Sequence, residues 1–188
     1  MSATNRGSKR IESDFYATPL ESVYALLDNY DGIKSSDRIL EPSAGNGNII
    51  RALRDKDYDN LIYAIECRPE ESDALEKAGA DYILISDFLA VESKIKYDVI
   101  IGNPPYSLAQ EFIDKSLSLL NPGGRLIFLL RTNFLESKKR FTWWQDKLPN
   151  GLYVLNKRPS FTGKGTDATS YSWFIWSKSA TTQEIKII

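Results

Sequence analysis

The tetrapeptide Asn103-Pro104-Pro105-Tyr106 is the part of the sequence best suited to chemistry. It follows the apolar run 99–101, and two consecutive prolines end the pairing of a strand there. A rigid backbone at this point fixes the side-chain oxygen of Asn103 and the carbonyl oxygen of Pro104 as two acceptors, which suits a planar NH₂ group. The Tyr106 ring offers a face on which a base can stack. The alternative is a rigid turn with a buried tyrosine.

A glycine-rich loop, residues 42–47, follows Glu41 at the end of a short apolar run and reads Pro42-Ser43-Ala44-Gly45-Asn46-Gly47. Glycines at 45 and 47 permit backbone angles and close approaches that a β-carbon would forbid. The loop lacks the third glycine of the dinucleotide pattern and the Gly-Lys-Ser/Thr of a phosphate loop. The acidic Glu41 suits a cationic amino group. The loop predicts a small-molecule site, and an ordinary strand-to-helix turn is the alternative.

Acidic residues also end the next two predicted strands. Glu66 lies about 20 residues beyond the glycine-rich loop, where a carboxylate typically binds ribose hydroxyls. Asp87 is placed to pair with an adenine amino group, and Phe88 to cover the adenine ring. Considered alone, Glu66 is more simply interpreted as an acidic residue at the surface, and Asp87 as a residue of a turn. Together with the loop they favour a nucleoside-containing ligand.

The elements that must position these residues alternate along the chain. Thr18 and Glu21 predict a capping box, with Pro19 at the first helical position, and a helix that runs to about Tyr30. Apolar runs and helical patterns then predict strands at 38–41, 61–66, 82–86, 97–102, 125–130, 152–155 and 172–176, with helices at 49–54, 69–78 and 108–120. This alternation predicts an α/β fold with a largely parallel, doubly wound sheet. Ligands of such sheets bind outside the carboxyl ends of the strands.

Composition limits the chemistry further. The chain has 188 residues, of which 42% are hydrophobic and 26% charged, so we expect a soluble globular protein. We expect residues 1–13 to be mobile and 14–188 to form one domain. The absence of histidine excludes histidine bases, serine triads with histidine and histidine-bound zinc. One cysteine, Cys67, excludes a disulfide within the chain and fits the cytoplasm, and no apolar run could cross a membrane.

The formal net charge of −1 lacks the basic excess that supports binding to nucleic acid. Basic residues do cluster locally, at 6–10, at 157–164 and at Lys138, Lys139 and Arg140. Each cluster alone is more simply a solvated surface. Trp143 and Trp144 follow the last of these, so this stretch is either a nucleic-acid contact or a helix that packs through its tryptophans.

In this chain order the motifs resemble the S-adenosylmethionine-dependent amino-methyltransferases, specifically the N6-adenine DNA methyltransferases with an Asn-Pro-Pro-Tyr motif and a gamma-like motif order. The match covers most of residues 14–131 and includes the upstream segment 14–18. The resemblance implies a Rossmann-like methyltransferase fold whose sheet has an antiparallel strand near the C-terminus. It also implies S-adenosylmethionine as cofactor and methyl transfer to the N6 amino group of a flipped adenine in DNA. No separate target-recognition domain is expected, which leaves room for a separate specificity partner.

The resemblance assigns roles to individual residues. Those expected to form the catalytic group are Asn103, Pro104, Pro105 and Tyr106. Those expected to bind the cofactor are Tyr16, Thr18, Glu41, Ser43, Ala44, Gly45, Gly47, Glu66, Asp87, Phe88 and Asn103. Those expected to bind the substrate are Tyr106, Phe161, Lys138, Lys139 and Arg140, and no metal is expected.

Two other functions remain open from the sequence. The same fold and tetrapeptide suit an RNA base or a protein glutamine nitrogen, although the segment 15–19 favours the DNA enzymes. A catalytically inactive binding protein could also retain the fold, but the intact tetrapeptide argues against it.

Overall fold

The computed structural model describes residues 17–161 and 165–188. Its strands are β1 (Ile39–Glu41), β2 (Ile62–Glu66), β3 (Tyr82–Ile85), β4 (Tyr97–Gly102), β5 (Leu120–Arg131), β6 (Gly151–Val154), β7 (Tyr171–Ser177) and β8 (Glu184–Ile187). Its helices are α1 (Leu20–Asn29), α2 (Asn48–Asp55), α3 (Ser72–Ala78), α4 (Ala109–Leu119) and α5 (Phe141–Lys147).

The strands form one sheet in the order β3-β2-β1-β4-β5-β7-β6-β8. The first five run parallel to one another, β7 is antiparallel to both β5 and β6, and β8 is parallel to β6. The predicted fold is therefore confirmed, including the antiparallel strand. Because β1 lies between β2 and β4, the chain changes direction across the sheet there, and sheets of this kind bind ligands beyond the carboxyl ends of such strands.

The core has two layers, one on each face of the sheet. Ile39 and Val99 belong to the layer beneath α1 and α2, whereas Leu40 and Ile100 belong to the layer beneath α4. Covering on both faces explains why β1 and β4 are apolar throughout. Trp173 on β7 is fully buried and donates a hydrogen bond from Nε1 to the Ser22 carbonyl oxygen (2.9 Å), which fixes α1 to the sheet.

The start of α1 differs from the prediction by one residue. Pro19, not Thr18, is the N-cap residue, since its ψ of 129° is extended, and no side chain caps the helix. Thr18 is instead buried, and its carbonyl oxygen accepts a hydrogen bond from Asn48 Nδ2 (2.8 Å). The predicted capping box is therefore wrong, but Thr18 is held at the start of α2, beside the glycine-rich loop.

The sheet also extends further than predicted. β5 begins at Leu120, where it pairs with Tyr97, and a register shift separates this pair from the one between Val99 and Arg125. The edge strand β8 was not predicted, and a helix in the place of α5 was only one of two interpretations of Trp143 and Trp144. None of the helices in the described part of the chain is long and apolar enough to cross a membrane.

Candidate active site

The candidate site lies where β1, β2 and β4 end. These strands end at or just before Glu41, Glu66 and Asn103, which were all predicted to be functional. Since β1 is the middle strand of the three, the glycine-rich loop that follows it has the end of β2 on one side and the end of β4 on the other. The fold thus brings the separate sequence motifs into one place.

Hydrogen bonds fix the glycine-rich loop to the end of β2. The Gly45 amide donates to Glu66 Oε2 (2.7 Å), and the Ala44 amide donates to the Ile65 carbonyl oxygen (3.0 Å). Glu66 Oε1 accepts from the backbone amide and from Nε of Arg68, each at 3.0 Å, and more weakly from the Cys67 thiol at 3.5 Å. The carboxylate predicted to bind ribose is therefore oriented before any ligand arrives.

Gly47 is required by both conformation and space. Its φ of +78° is left-handed, and its amide donates to the Ala44 carbonyl oxygen (2.9 Å) to close the turn. A β-carbon at this position would lie 2.6 Å from the β-carbon of Ala78 in α3. The loop can therefore keep this shape, and α2 can begin at Asn48, only with glycine here.

The Asn-Pro-Pro-Tyr tetrapeptide is fixed to the same loop from the side of β4. Ser43 Oγ donates a hydrogen bond to the backbone carbonyl oxygen of Asn103 (3.3 Å). A β-carbon on Gly102, the last residue of β4, would lie 3.3 Å from both Pro42 Cδ and Phe128 Cε1. This close packing places the predicted amino-group acceptors directly beside the predicted cofactor loop.

Glu41 is a buried acid with one carboxylate oxygen that accepts no hydrogen bond from a described residue. Its side chain is 2% exposed, and its Oε2 atom makes no hydrogen bond within residues 17–161 and 165–188. Burial, together with the negative charge of Glu66, raises the pKa of Glu41 well above its ordinary value. An unpaired carboxylate in such a place is costly, and a cationic group would relieve that cost. A cationic amino group, the ligand predicted for Glu41, is the kind of partner that this carboxylate lacks.

Tyr106 lies beyond the tetrapeptide's prolines with its ring half-buried. The ring centroid is 5.8 Å from that of Tyr171 at an interplanar angle of 47°, and Arg131 Cζ lies 5.1 Å from it. The Tyr106 hydroxyl is buried and makes no well-formed hydrogen bond to a described residue, although the Tyr171 hydroxyl lies close enough to interact with it. Burial, and to a lesser degree the Tyr171 hydroxyl, raises the pKa of Tyr106 well above its ordinary value. The hydroxyl is therefore neutral.

Phe161, predicted to pack on a flipped base, joins this aromatic group. Its ring centroid lies 5.0 Å from that of Tyr171 at 59°, so Tyr171 contacts both predicted substrate residues. Sequence reasoning missed Tyr171 and Arg131. The available signal was a charged residue directly after the apolar run 126–130, at the end of the strand next to the one that carries the tetrapeptide.

The other predicted residues have more varied surroundings. Asp87 is exposed, and its Oδ1 accepts a hydrogen bond from the Leu89 amide (2.9 Å), which caps a short turn. Phe88 is 2% exposed and packs on Phe112 at 5.0 Å between centroids. The prediction that Phe88 covers an adenine ring is corrected, because its ring has no exposed face. Tyr16 lies outside the described residues.

The three basic residues before α5 differ in their exposure and contacts. Lys138 and Lys139 are exposed, whereas Arg140 stacks its guanidinium on the Phe134 ring (4.2 Å) and donates to the Phe134 carbonyl oxygen (2.8 Å). Arg140 therefore supports the protein's own structure in this arrangement. Trp144 is 5% exposed, so its main role is packing. In the described part of the chain, no three acidic or cysteine side chains converge as metal ligands.

Solved structures with this fold define its class. The M protein of the type I restriction enzyme EcoKI aligns over 88% of this chain and 44% of its own, with a TM-score of 0.67 and 17% identity. A protein from Listeria monocytogenes assigned to the class I S-adenosylmethionine-dependent methyltransferases aligns over 90% of this chain and 64% of its own, with a TM-score of 0.65 and 19% identity. The fold is that of the S-adenosylmethionine-dependent methyltransferases.

Sequence comparison narrows this class. Residues 43–111 match the family described as Eco57I restriction-modification methylase. The Type II methyltransferase M.HincII of Haemophilus influenzae is 30% identical over 199 aligned positions, which cover 88% of this chain. The predicted resemblance is confirmed: the chain is similar to a restriction-modification methylase family and to several Type II methyltransferases. It spans only 38% of the length of M.HincII.

Proposed function

We propose that this protein transfers a methyl group from S-adenosylmethionine to the exocyclic N6 amino group of an adenine flipped out of DNA. The observation that carries the proposal is the Asn-Pro-Pro-Tyr tetrapeptide at the end of β4, joined to the glycine-rich loop by the contact of Ser43 with Asn103 (3.3 Å). A site for an amino group and a site for a small cofactor are thereby adjacent.

The residues around the candidate site suit this cofactor. Glu41 would accept the cofactor's ammonium group, and Glu66 its ribose hydroxyls, with the weak thiol contact of Cys67 as the one most easily replaced. Asp87 keeps one carboxylate oxygen for an adenine amino group, since the other caps the turn. The backbone around the cofactor is supplied by Thr18, Ser43, Ala44, Gly45 and Gly47. When bound, S-adenosylmethionine supplies a methyl group on a positively charged sulfur.

The tetrapeptide supplies the remaining chemistry. The lone pair of an adenine amino group is delocalised into the ring, which makes the nitrogen a poor nucleophile. Asn103 and Pro104 would each accept one N–H of this group, favour a more tetrahedral nitrogen and stabilise the positive charge that develops on it. Such preorganised acceptors and correct alignment account for catalysis without a histidine base.

The aromatic group would hold the extruded base. Flipping a base costs a few kcal/mol in a duplex and least at an unpaired or mismatched site. Tyr106 would stack on the base, and Phe161 would pack against it from the loop before β7. We expect single-stranded or mismatched sites to be methylated at least as well as duplex sites.

The proposal is tested by incubating the protein with methyl-labelled cofactor and separate DNA, RNA and protein substrates, followed by nucleoside and amino-acid analysis. We expect the label in N6-methyldeoxyadenosine. Label found only in RNA, or on glutamine, would contradict the proposal and support methylation of an RNA base or a protein glutamine instead.

Asn103→Ala separates binding from chemistry. The lost acceptor acts mainly in the transition state, so we expect turnover to fall by orders of magnitude while the affinity for S-adenosylhomocysteine, measured by calorimetry, stays nearly unchanged. Asn29→Ala, which removes an exposed asparagine side chain at the end of α1, serves as the control. Near-normal turnover in Asn103→Ala would show that Asn103 is structural.

A further inference from the structure

Arg131 ends β5 at the same edge of the sheet as the tetrapeptide. β5 pairs in parallel with β4, with Phe128 opposite Gly102, so the next residues of both strands project beyond the same edge. The guanidinium carbon of Arg131 lies 5.1 Å from the centre of the Tyr106 ring. A cation at this distance from an aromatic ring is attracted to it. The proposed catalytic tyrosine therefore has a charged neighbour that belongs to none of the sequence motifs.

A chain of hydrogen bonds holds the guanidinium in this position. Arg131 Nε donates to the Tyr171 hydroxyl (3.2 Å), and that hydroxyl donates to Asp167 Oδ2 (2.8 Å). Tyr171 is 1% exposed, so the middle of the chain is fixed by the core. The backbone amide of Asp167 donates to the Pro159 carbonyl oxygen (3.0 Å), which fixes the far end. The arrangement orients one side of the guanidinium and leaves the other side open.

The charge of Arg131 is not neutralised within the described residues. Across 17–161 and 165–188 it forms no ion pair, its two Nη groups donate no hydrogen bond, and the residue is exposed. Asp167 accepts its bond from the Tyr171 phenol instead of from the guanidinium. Burial opposes the charge of Arg131, but its Tyr171 and Asp167 neighbours together outweigh burial and raise the pKa of Arg131, so it stays cationic at any working pH. An oriented guanidinium with open N–H groups matches the geometry of a phosphate.

We infer that Arg131 binds a backbone phosphate of the strand that carries the target adenine, while Tyr171 and Asp167 hold its guanidinium beside Tyr106. This inference rests on the proposed function, because a flipped nucleotide presents its base and its phosphate together. The ring of Tyr106 receives the base, and the adjacent cation receives the phosphate. Arg131 then sets the depth to which the nucleotide enters the site.

The test compares Arg131→Gln, Arg131→Met and Arg131→Lys with Arg38→Gln. Arg38 is an exposed arginine just before β1, at the opposite edge of the sheet, and is the matched control. Binding of a single-stranded adenine-containing oligonucleotide is measured by fluorescence anisotropy over a series of salt concentrations. Steady-state methylation of the same oligonucleotide gives KM and kcat, and thermal melting checks that each variant is folded.

We expect Arg131→Gln and Arg131→Met to weaken oligonucleotide binding by about tenfold or more, as for the loss of a hydrogen bond to a charged group. The salt dependence of log Kd should become shallower by about 0.7, the value for one phosphate contact on a single strand. KM should rise more than kcat falls. Arg131→Lys should keep the salt dependence and recover part of the affinity, and Arg38→Gln should match the unmodified protein.

Two results would overturn the inference. If Arg131→Gln and Arg131→Met match Arg38→Gln in Kd, salt dependence and KM, Arg131 makes no phosphate contact, and the proposed methylation of DNA still stands. If they lower kcat with Kd and salt dependence unchanged, Arg131 acts on Tyr106 alone. If the protein methylates no DNA, the proposed function is contradicted. The anisotropy series measures oligonucleotide binding independently of methyl transfer, so this failure can be told apart from a failure of the inference about Arg131.

Discussion

At the scale of single residues, the candidate site contains buried side-chain oxygens that lack well-formed hydrogen bonds within the described part of the chain. Glu41 Oε2 and the Tyr106 hydroxyl are both buried and make no well-formed hydrogen bond to a described residue. The two cases differ in chemistry. A carboxylate calls for a cationic or donating partner, whereas a neutral phenol tolerates isolation at a lower cost.

This difference leads to a prediction for Tyr106. Tyr106→Phe removes a hydroxyl that makes no well-formed hydrogen bond and keeps the ring, so we expect it to retain most of the methyl-transfer activity. Tyr106→Ala removes the stacking face, which is worth about 1–3 kcal/mol per base, and should lower kcat/KM by roughly one to two orders of magnitude. The measurement is steady-state methylation of a single-stranded oligonucleotide. Equal losses in the two variants would show that the hydroxyl itself is needed.

The sequence predicted the members of the site that belong to short motifs. The contacts of Ser43 with Asn103 and of Gly45 with Glu66 join residues that were both singled out, because each lies at a predicted strand end. Arg131 could not be found in this way. Its importance comes from Tyr171, 40 positions away in the chain, and only the register of β5 against β7 places the two side by side.

At the scale of elements, the turn from β1 into α2 determines the shape of the cofactor site. Gly47 has a left-handed φ of +78°, and its missing β-carbon makes room for Ala78 of α3. Gly123, within β5, has nearly the same φ of +77°, but a β-carbon there would meet no described atom within 4 Å. Substitution of the two glycines by alanine therefore distinguishes two costs. Both changes force a left-handed backbone on alanine, but only the change at Gly47 also creates a steric clash.

We predict that Gly47→Ala destabilises the protein more than Gly123→Ala. Both changes force alanine into a left-handed conformation at a cost of about 1–2 kcal/mol. Only Gly47→Ala adds a contact at 2.6 Å, which must displace either the loop or α3. Urea denaturation of both variants measures the difference, and calorimetry should show weaker cofactor binding for Gly47→Ala alone. Equal destabilisation would mean that the loop moves freely away from Ala78.

Strands with strong apolar runs were predicted closely, and elements that depend on partners were not. β4 was predicted with its observed bounds, since it is buried on both faces and ends at two prolines. β8 was missed because Ile185 and Ile187 are exposed, at 74% and 77%, so its strand form depends on pairing with β6. The start of β5 was missed because Pro122 and Gly123 are residues typical of a turn. Only the pairing of Leu120 with Tyr97 shows that the strand begins before them.

At the scale of the whole molecule, the buried Glu41 links stability to pH. Its pKa is raised in the folded protein by burial and by the charge of Glu66. The folded state therefore holds this proton more tightly than the unfolded state, and the stability associated with it is complete below the ordinary value of 4.5. As pH rises above that value towards the folded pKa, this stability is lost.

We predict that Glu41→Gln raises the free energy of unfolding of the cofactor-free protein at pH 8 more than at pH 5, because the amide cannot ionise. The same change should weaken the binding of S-adenosylhomocysteine, since the carboxylate that accepts its ammonium group is gone. Urea denaturation at both pH values and calorimetry measure these effects.

The exposed Glu184 provides a control of opposite sign. Hydrogen bonds from Tyr153 and Lys186 lower the pKa of Glu184. Glu184→Gln should therefore lose stability at pH 8 and not gain it. A stability change for Glu41→Gln that is the same at both pH values would show that Glu41 is ionised throughout, and would contradict the link between its burial and pH.

The position of Cys67 makes the site observable without any knowledge of its DNA target. It is the single cysteine of the chain, it is exposed, and its thiol rests on Oε1 of Glu66 at 3.5 Å. Burial of the sulfur and the neighbouring carboxylate raise the pKa of the thiol, so its reaction with a maleimide dye is slow at neutral pH and accelerates in alkali. A ligand that engages Glu66 changes both access to the sulfur and the field around it. The rate of labelling at this one atom thus gives a direct optical readout of whether the candidate site is filled.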